Sequence, residues 1–378
     1  FQGVRRQRGL AVQNSGLWIS AQAAAELQVP EVREAFIELL HDCGLRLTSL
    51  NGFPYGQFHE GAVKAEVYRP TWAEPQRLEY SLQLAHLLAA ALPLDCQQGV
   101  ISSVPFGYAA TWDEAQQQQA ETHLRQLTAE LASLHRSSGR KILVCLEMEA
   151  DCVLENTDQA LAFFKHWQAT DPHHGYLALC FDVCHQAVVF EDCYQSLQRL
   201  LDARVPVGKI QLSNALICQL PFADRPRRQQ VLQALGNFAE ATYLHQVKAR
   251  DMAGQLLAWA DLPGALDAAE PAQGQCPELR IHFHVPLFSE QFLLAELSGS
   301  QQALLRTFDF LAAHPNFQPV LEVETYSWNV LPGALRPDSE QALLQGIAAE
   351  LQWVEGQLRQ RHLLRTHSSA LEAPAHAC

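Results

Sequence analysis

Apolar side chains alternate with small or polar ones along a series of short runs in this chain, and longer stretches of helical spacing separate those runs. The clearest run is LALCFDVCH, Leu177 to His185. As a strand it places Leu177, Leu179, Phe181 and Val183 on one face and Ala178, Cys180 and Asp182 on the other. The first face is apolar enough to lie beneath helices. The second stays small until it reaches a carboxylate at the C-terminal end, with His185 three residues further on.

The same pattern predicts strands over Leu45 to Leu50, Gly99 to Val104, Lys141 to Glu149, Val207 to Ser213, Leu279 to Val285 and Pro319 to Thr325. Helical spacing predicts helices over Ala21 to Leu27, Glu31 to Cys43, Glu74 to Ala91, Thr111 to His135, Gln159 to Trp167, Glu191 to Leu201, Thr307 to Ala313 and Asp338 to Leu364. Strand–helix alternation of this kind makes a parallel α/β architecture. Polar residues at nearly every strand end, and the lack of a GxGxxG loop, favour a closed barrel over an open doubly wound sheet. The barrel is expected to be a single domain over residues 1–364. The segment 217–278 is too long for one crossover and is expected to form an excursion over the barrel mouth, with helical patterns at Arg225 to Ala239 and Gly254 to Ala260. Phe1 to Gly16 shows no clear period, so the first strand of an eight-stranded barrel is expected to lie upstream of Phe1. Residues 365–378 read as a disordered tail.

Charge and cysteine content narrow the function classes. With 41 acidic and 27 basic residues the net charge is −14, and only Arg5-Arg6-Gln7-Arg8 is strongly basic, which argues against binding a phosphate backbone. The ten cysteines are scattered, without a CxxC pair, and several sit inside apolar runs. No apolar stretch approaches the length of a membrane span. A reducing cytoplasm and a small-molecule partner, with neither nucleic acid nor stable membrane insertion, are the expectation.

The inner strand faces carry the chemistry. In KILVCLEME, Ile142, Val144, Leu146 and Met148 oppose Cys145, Glu147 and Glu149. In KIQLSN, Ile210 and Leu212 oppose Gln211 and Ser213. In RIHFHVP, Ile281, Phe283 and Val285 oppose His282 and His284, and in VLEVETY, Leu321, Val323 and Thr325 oppose Glu322 and Glu324. Several carboxylates inside a barrel are costly to bury unless a cation compensates them. A divalent ion (Mn²⁺, Mg²⁺, Co²⁺ or Zn²⁺) is the simplest solution for carboxylate and imidazole ligands. Glu149 and Glu322 read as surface or supporting groups, Cys180 and Cys184 as packing, and His245 on its own as a surface residue of the excursion.

The order LExE…FDxxH…HFH…ExETYxW resembles the xylose isomerase-like superfamily of TIM barrels, which includes sugar isomerases, ketose 3-epimerases and endonuclease IV. More narrowly, LNGFPYGQFH with VYRPTW, LEMEADCVLENT, FDVCHQAV, YLHQV and LEVETYSW resembles the EboE-type metabolite traffic proteins. The resemblance implies a (β/α)8 TIM barrel with metal at its C-terminal mouth. It implies metal ligands among Glu147, Asp182, Gln211, His282, His284 and Glu324, with Gln211 standing where the fifth strand usually presents a histidine. It also implies Glu147 and Glu324 as proton carriers and His185 as a catalytic histidine contacting substrate or metal. Asn51, Tyr55, His59 and Lys64 of the first long loop, with His245, are the substrate-binding candidates. Two functions follow as expectations: a metal-dependent sugar isomerase or epimerase, or a non-catalytic carrier that keeps the metal pocket and contacts other proteins of a metabolite-export pathway.

Overall fold

The computed structural model describes residues 1–56, 64–221, 224–251, 253–269 and 277–364. Its first sheet is parallel throughout and curls into a nearly closed barrel of seven strands. These are β1 (Gln13–Trp18), β2 (Leu45–Asn51), β3 (Gln98–Ser103), β4 (Lys141–Glu147), β5 (Leu177–Asp182), β6 (Val207–Leu212) and β13 (Val320–Val323), hydrogen-bonded in that order. Between β6 and β13 the chain builds a second, antiparallel sheet. It contains β7 (Ala215–Gln219), β8 (Val247–Arg250), β9 (Leu256–Trp259), β10 (Glu278–His284), β11 (Gln291–Phe292) and β12 (Leu294–Gly299).

Helix α1 (Gln2–Gln7) precedes the barrel. Helices α2 (Ala21–Glu26), α3 (Pro30–Asp42), α4 (Pro75–Ala91), α5 (Glu114–Ser138), α6 (Thr157–Thr170), α7 (Val183–Val188) and α8 (Cys193–Asp202) follow the strands in turn. The second sheet carries α9 (Arg225–Gly236) and α10 (Leu262–Ala269), while α11 (Gln301–Ala313) and α12 (Glu340–Gln360) flank β13. Local chemistry sets several boundaries. Ser20 caps α2, capping boxes start α5 at Asp113–Gln116 and α6 at Asn156–Gln159, and left-handed Gly139 ends α5.

The alternation sorts the barrel's side chains as its pleat requires. Val144, Leu146, Leu179, Phe181, Ile210 and Leu212 join the main core with Leu124, Leu127, Phe164 and Trp167 of the helices. Val100, Leu143, Cys145, Ala178 and Cys180 fill the barrel interior below the mouth. The second sheet has its own core around Leu216, Val247, Leu279, Ile281 and Phe283.

Three expectations are corrected. The place beside the Leu45 strand is filled by β1, inside Phe1–Gly16 and the residues that follow it, rather than lying upstream of Phe1. This strand escapes an alternation test because it is a half-exposed edge with polar side chains and a register shift between Ser15 and Gly16. The strand expected at Leu279 to Val285 exists as β10, but it pairs antiparallel with β7 and β8, and β13 takes the barrel position next to β6. The pattern at Gly254 to Ala260 is strand β9, not a helix. Gly254 at φ +82° turns the chain back so that β9 can pair with β8. The strands of the second sheet lie between residues 215 and 299. The tail 365–378 lies outside the described residues.

Among the described residues β1 and β13 share no ladder, and side chains of β2 reach across to the β13 end instead. Ser49 Oγ donates to the Glu322 carboxylate, and Asn51 Nδ2 donates to Glu324 Oε1 at 3.3 Å. Gly16 makes this closure possible, because a Cβ there would press on the Glu322 carboxylate and lie 2.6 Å from Ser49 Oγ. Gly16→Ala is therefore expected to cost about 1–3 kcal/mol by overpacking, measured by urea denaturation. A midpoint equal to that of the parent would show that the seam yields freely.

Candidate functional site

Each barrel strand delivers its inner polar residue to the same level at the C-terminal ends. Glu147 from β4, Asp182 from β5 and Glu324 just beyond β13 present carboxylate oxygens within 4.8 Å of one another. Asp182, His185 and His284 form a second triad of the same closeness, and Glu149, His185 and His282 a third. All of these groups except Asp182, which lies behind them, line a cavity of about 560 Å³, within the range of small-molecule sites.

The DxxH spacing has a local cause. Asp182 ends β5 and caps α7: its Oδ1 accepts the backbone N–H of His185 at 2.9 Å and the Ser213 hydroxyl at 2.7 Å. That fixes the carboxylate and leaves Oδ2 aimed at the cluster. Glu147 is held in the same manner, its Oε1 accepting Gln211 Nε2 at 3.0 Å while Oε2 is free.

Behind these groups runs a hydrogen-bonded wall. Tyr68 OH donates to Glu149 Oε1 at 2.7 Å. Gln246 Nε2 faces Tyr68 OH, Glu149 Oε1 and the Ala150 carbonyl, which sets its amide orientation. Its Oε1 then receives His282 Nδ1–H at 2.7 Å, so His282 Nε2 is an acceptor for His185 Nε2 at 3.0 Å. The other nitrogen of His185 meets the Met148 carbonyl at 2.9 Å. Both nitrogens of His185 are thus engaged, by the Met148 carbonyl and by His282, and its ring lies 3.5 Å from Glu147 and 3.9 Å from Asp182.

Lys209, fully buried in the floor, donates to Glu322 Oε1 at 2.9 Å. Burial works against its charge, but Glu322 and the neighbouring acids hold its pKa above the ordinary lysine range. Lys209 and the His185 ring thus face five carboxyl groups: Glu147, Glu149, Asp182, Glu322 and Glu324. Burial, reinforced by Glu324 and Asp182, pushes the Glu147 carboxyl well above its usual range, and burial with Asp182 does the same to Glu324. Burial also raises Glu149. His282 is driven well below the usual imidazole range by burial and then by His185 and His284. Burial is likewise the main cause that takes His284 down to about 4.

The residues fit a divalent cation. Among the described residues, Glu147 Oε2, Asp182 Oδ2, Gln211 Oε1 and His284 Nε2 are buried without a hydrogen-bond partner. All four are lone-pair atoms, and a buried acceptor without a partner is costly. His284 is neutral and donates Nδ1–H to the Glu324 carbonyl at 3.0 Å, which leaves Nε2 available for a metal. The thiol of Cys184, near His282 and His284, is raised well above its ordinary pKa by burial and is a poor ligand.

The remaining candidates are placed unevenly. Asn51 lines the cavity, bonded to Glu324 and accepting the Phe53 N–H at 3.0 Å. Lys64 also lines it, with its ammonium held by Asp261 Oδ2 at 2.8 Å and the carbonyls of Tyr243 and Glu240. Tyr55 packs against Tyr80 with ring centroids 5.2 Å apart and does not reach the cavity. His245 is fully buried, not at the surface, with its nitrogens on the His282 carbonyl and Glu240. His282 has both nitrogens engaged within the protein. His59 lies outside the described residues. Glu149 and Glu322 belong to the site's wall and floor rather than to the surface.

Tyr68, Gln246 and Tyr326 escape residue-by-residue reading, although they sit in VYRPTW, YLHQV and ETYSW. The last motif is used throughout. Tyr326 lies on the His284 ring at 4.5 Å, Ser327 Oγ donates to the His284 carbonyl, and Glu350 of α12 accepts both Thr325 Oγ1 and Trp328 Nε1.

No protein-family model and no curated protein matches the sequence. Solved structures do. A xylose isomerase-like TIM barrel protein from Mycobacterium smegmatis in complex with magnesium aligns over 96% of this chain and 88% of its own, at 13% identity and TM-score 0.50. A xylose isomerase domain protein from Planctomyces limnophilus aligns over 96% of this chain and 93% of its own, at 11% identity and TM-score 0.51. At these identities the likeness carries the fold alone: the chain folds as a TIM barrel similar to those of these xylose isomerase-like proteins.

The raised carboxyls set the sign of the pH dependence. The native state holds protons on Glu147 and Glu324 that the unfolded chain releases near pH ~4.3, so the unfolded state binds fewer protons and stability falls as pH rises from there through the raised native values. A bound divalent ion offsets that loss. Mg²⁺ or Mn²⁺ is therefore expected to raise the melting temperature more at about pH 8 than at about pH 5, and Asp182→Asn to remove most of the gain. An equal shift at both pH values, or one unchanged in Asp182→Asn, would place the ion elsewhere.

Proposed function

We propose that this protein is a divalent-metal-dependent isomerase or epimerase acting on a small polyhydroxylated carbonyl compound by carboxylate-assisted proton transfer. The observation that carries the reading is the set of orphaned, buried lone-pair atoms on Glu147, Asp182, Gln211 and His284 beside Glu324, a cluster from which Glu147, His284 and Glu324 line the cavity while Asp182 and Gln211 lie behind them. These five residues would hold the ion. When bound, it supplies polarisation of the substrate's carbonyl oxygen and so acidifies the neighbouring C–H.

The chain's own groups do the rest. Glu147 and Glu324 are the proton carriers, one removing the proton beside the carbonyl and the other returning one. Burial and the neighbouring acids raise both carboxyls, which favours the protonated form that returns a proton. Gln211 orients Glu147 through Oε1, and Asn51 orients Glu324. His185, as a donor, holds a substrate oxygen at the cavity wall, and the Gln246–His282 pair keeps its ring in place. Asn51 and Lys64 face the substrate side, whereas Tyr55 and His245 act at most through the packing of their loops.

The narrower resemblance to EboE-type metabolite traffic proteins supplies the alternative, in which the same pocket carries a metabolite without turnover and hands it to protein partners. One experiment separates the two. Metal-loaded protein incubated with ketoses and their phosphates in deuterated water is expected to incorporate deuterium beside the carbonyl. Glu147→Gln is expected to slow that exchange by about 10²–10⁴-fold while metal binding persists. Tight sugar binding without exchange would contradict the isomerase reading and favour carriage.

A further inference from the structure

The catalytic carboxylates occupy only one end of the cavity. From the mouth it runs along the seam between β1 and β13 and on beneath α12, where its walls change character. Leu17 comes from β1, Leu321 and Val323 from β13, and Leu343, Ile347 and Leu351 from α12. The α12 residues recur at helical spacing, so they form one stripe that faces the seam.

The burial pattern marks this seam as different from the rest of the barrel. β4 and β5 are buried along nearly their whole length, whereas every residue of β13 is half-exposed on both faces. A closed barrel has no such edge. Here β1 and β13 share no ladder among the described residues; inside the barrel Ser49 and Asn51 of β2 reach past β1 to Glu322 and Glu324, and residues of α12 line the slot from the other side. Helix α12 is fixed over the slot by Glu350, which accepts Thr325 Oγ1 at 2.7 Å, Trp328 Nε1 at 3.0 Å and the Leu287 N–H at 3.1 Å. The roof is therefore tied to the strand end that carries Glu324, and the apolar slot and the polar cluster are two ends of one space.

We propose, resting on the reading of the site given above, that the substrate is amphiphilic. Its hydroxylated head would lie at the carboxylate–imidazole cluster, and an apolar substituent would lie in the slot between β1, β13 and α12. A free sugar would leave the half-buried leucines, Val323 and Ile347 facing water. An apolar substituent removes that surface from water, and burial of about two methylenes is enough for about tenfold in affinity.

The test compares binding of methyl β-D-glucopyranoside with n-octyl β-D-glucopyranoside, the latter below its micelle threshold, to the full chain with Mg²⁺. The octyl compound is expected to bind at least about tenfold more tightly. Ile347→Trp, or Leu351→Trp as a second variant, fills the slot and is expected to bring the ratio close to one while the Mg²⁺-dependent melting shift persists. Equal affinities in the parent chain overturn the inference, as does undetectable octyl binding or a preference that survives both tryptophan variants. Loss of the Mg²⁺ shift in the parent chain, with the octyl preference intact and slot-dependent, would instead count against the metal-site reading and leave the slot standing.

Discussion

Five carboxylates crowd the mouth of this barrel, and the rest of the structure is arranged around the electrostatic cost of that crowding. Removing carboxylates from water is unfavourable by several kcal/mol each unless donors or cations replace the lost hydration. The chain answers in part. Lys209 sits beneath Glu322, His185 lies between Glu147 and Asp182, and Ser213, Gln211, Asn51 and Tyr68 each donate to one acid. The compensation stops short at Glu147 Oε2, Asp182 Oδ2, Gln211 Oε1 and His284 Nε2, lone pairs of the kind a divalent cation uses.

The second constraint is closure. A barrel ordinarily removes its edges by pairing the last strand with the first. Here β10, which follows β6 and carries the two histidines, is drawn into the antiparallel sheet by β7 and β8. Only its C-terminal end reaches the barrel mouth. The acids at the β13 edge reach past β1 to Ser49 and Asn51 of β2 and also serve the site, so Glu322 and Glu324 link barrel closure to chemistry. Gly16, which lacks the side chain that would separate them, is as much a part of the site as any polar residue.

Alternation along the strands was enough to sort inner from outer residues in β4, β5, β6, β10 and β13, because the pleat leaves a side chain no other choice. The polar cluster was visible for the same reason. What alternation could not show was pairing. β10 has the pattern of a barrel strand, and its partners are decided by the excursion that precedes it. β1 has no pattern because an edge strand with one glycine has little to bury. Supporting groups such as Gln246, Tyr68 and Glu350 sit on loops or helices, where period says nothing about which way a polar side chain points. Gln211 read correctly as an inward residue of β6, but its bond to Glu147 depends on strand spacing that no single strand encodes.

The central claim is that protons on the clustered carboxyls stand in for a divalent cation. Calorimetric titration of the protein with Mg²⁺ or Mn²⁺ at one neutral pH, repeated in buffers of different ionisation enthalpy, measures this directly by counting protons released per ion bound. The account predicts saturable binding with net proton release, reduced in Glu147→Gln. Binding without proton release, or no saturable binding at all, would contradict it.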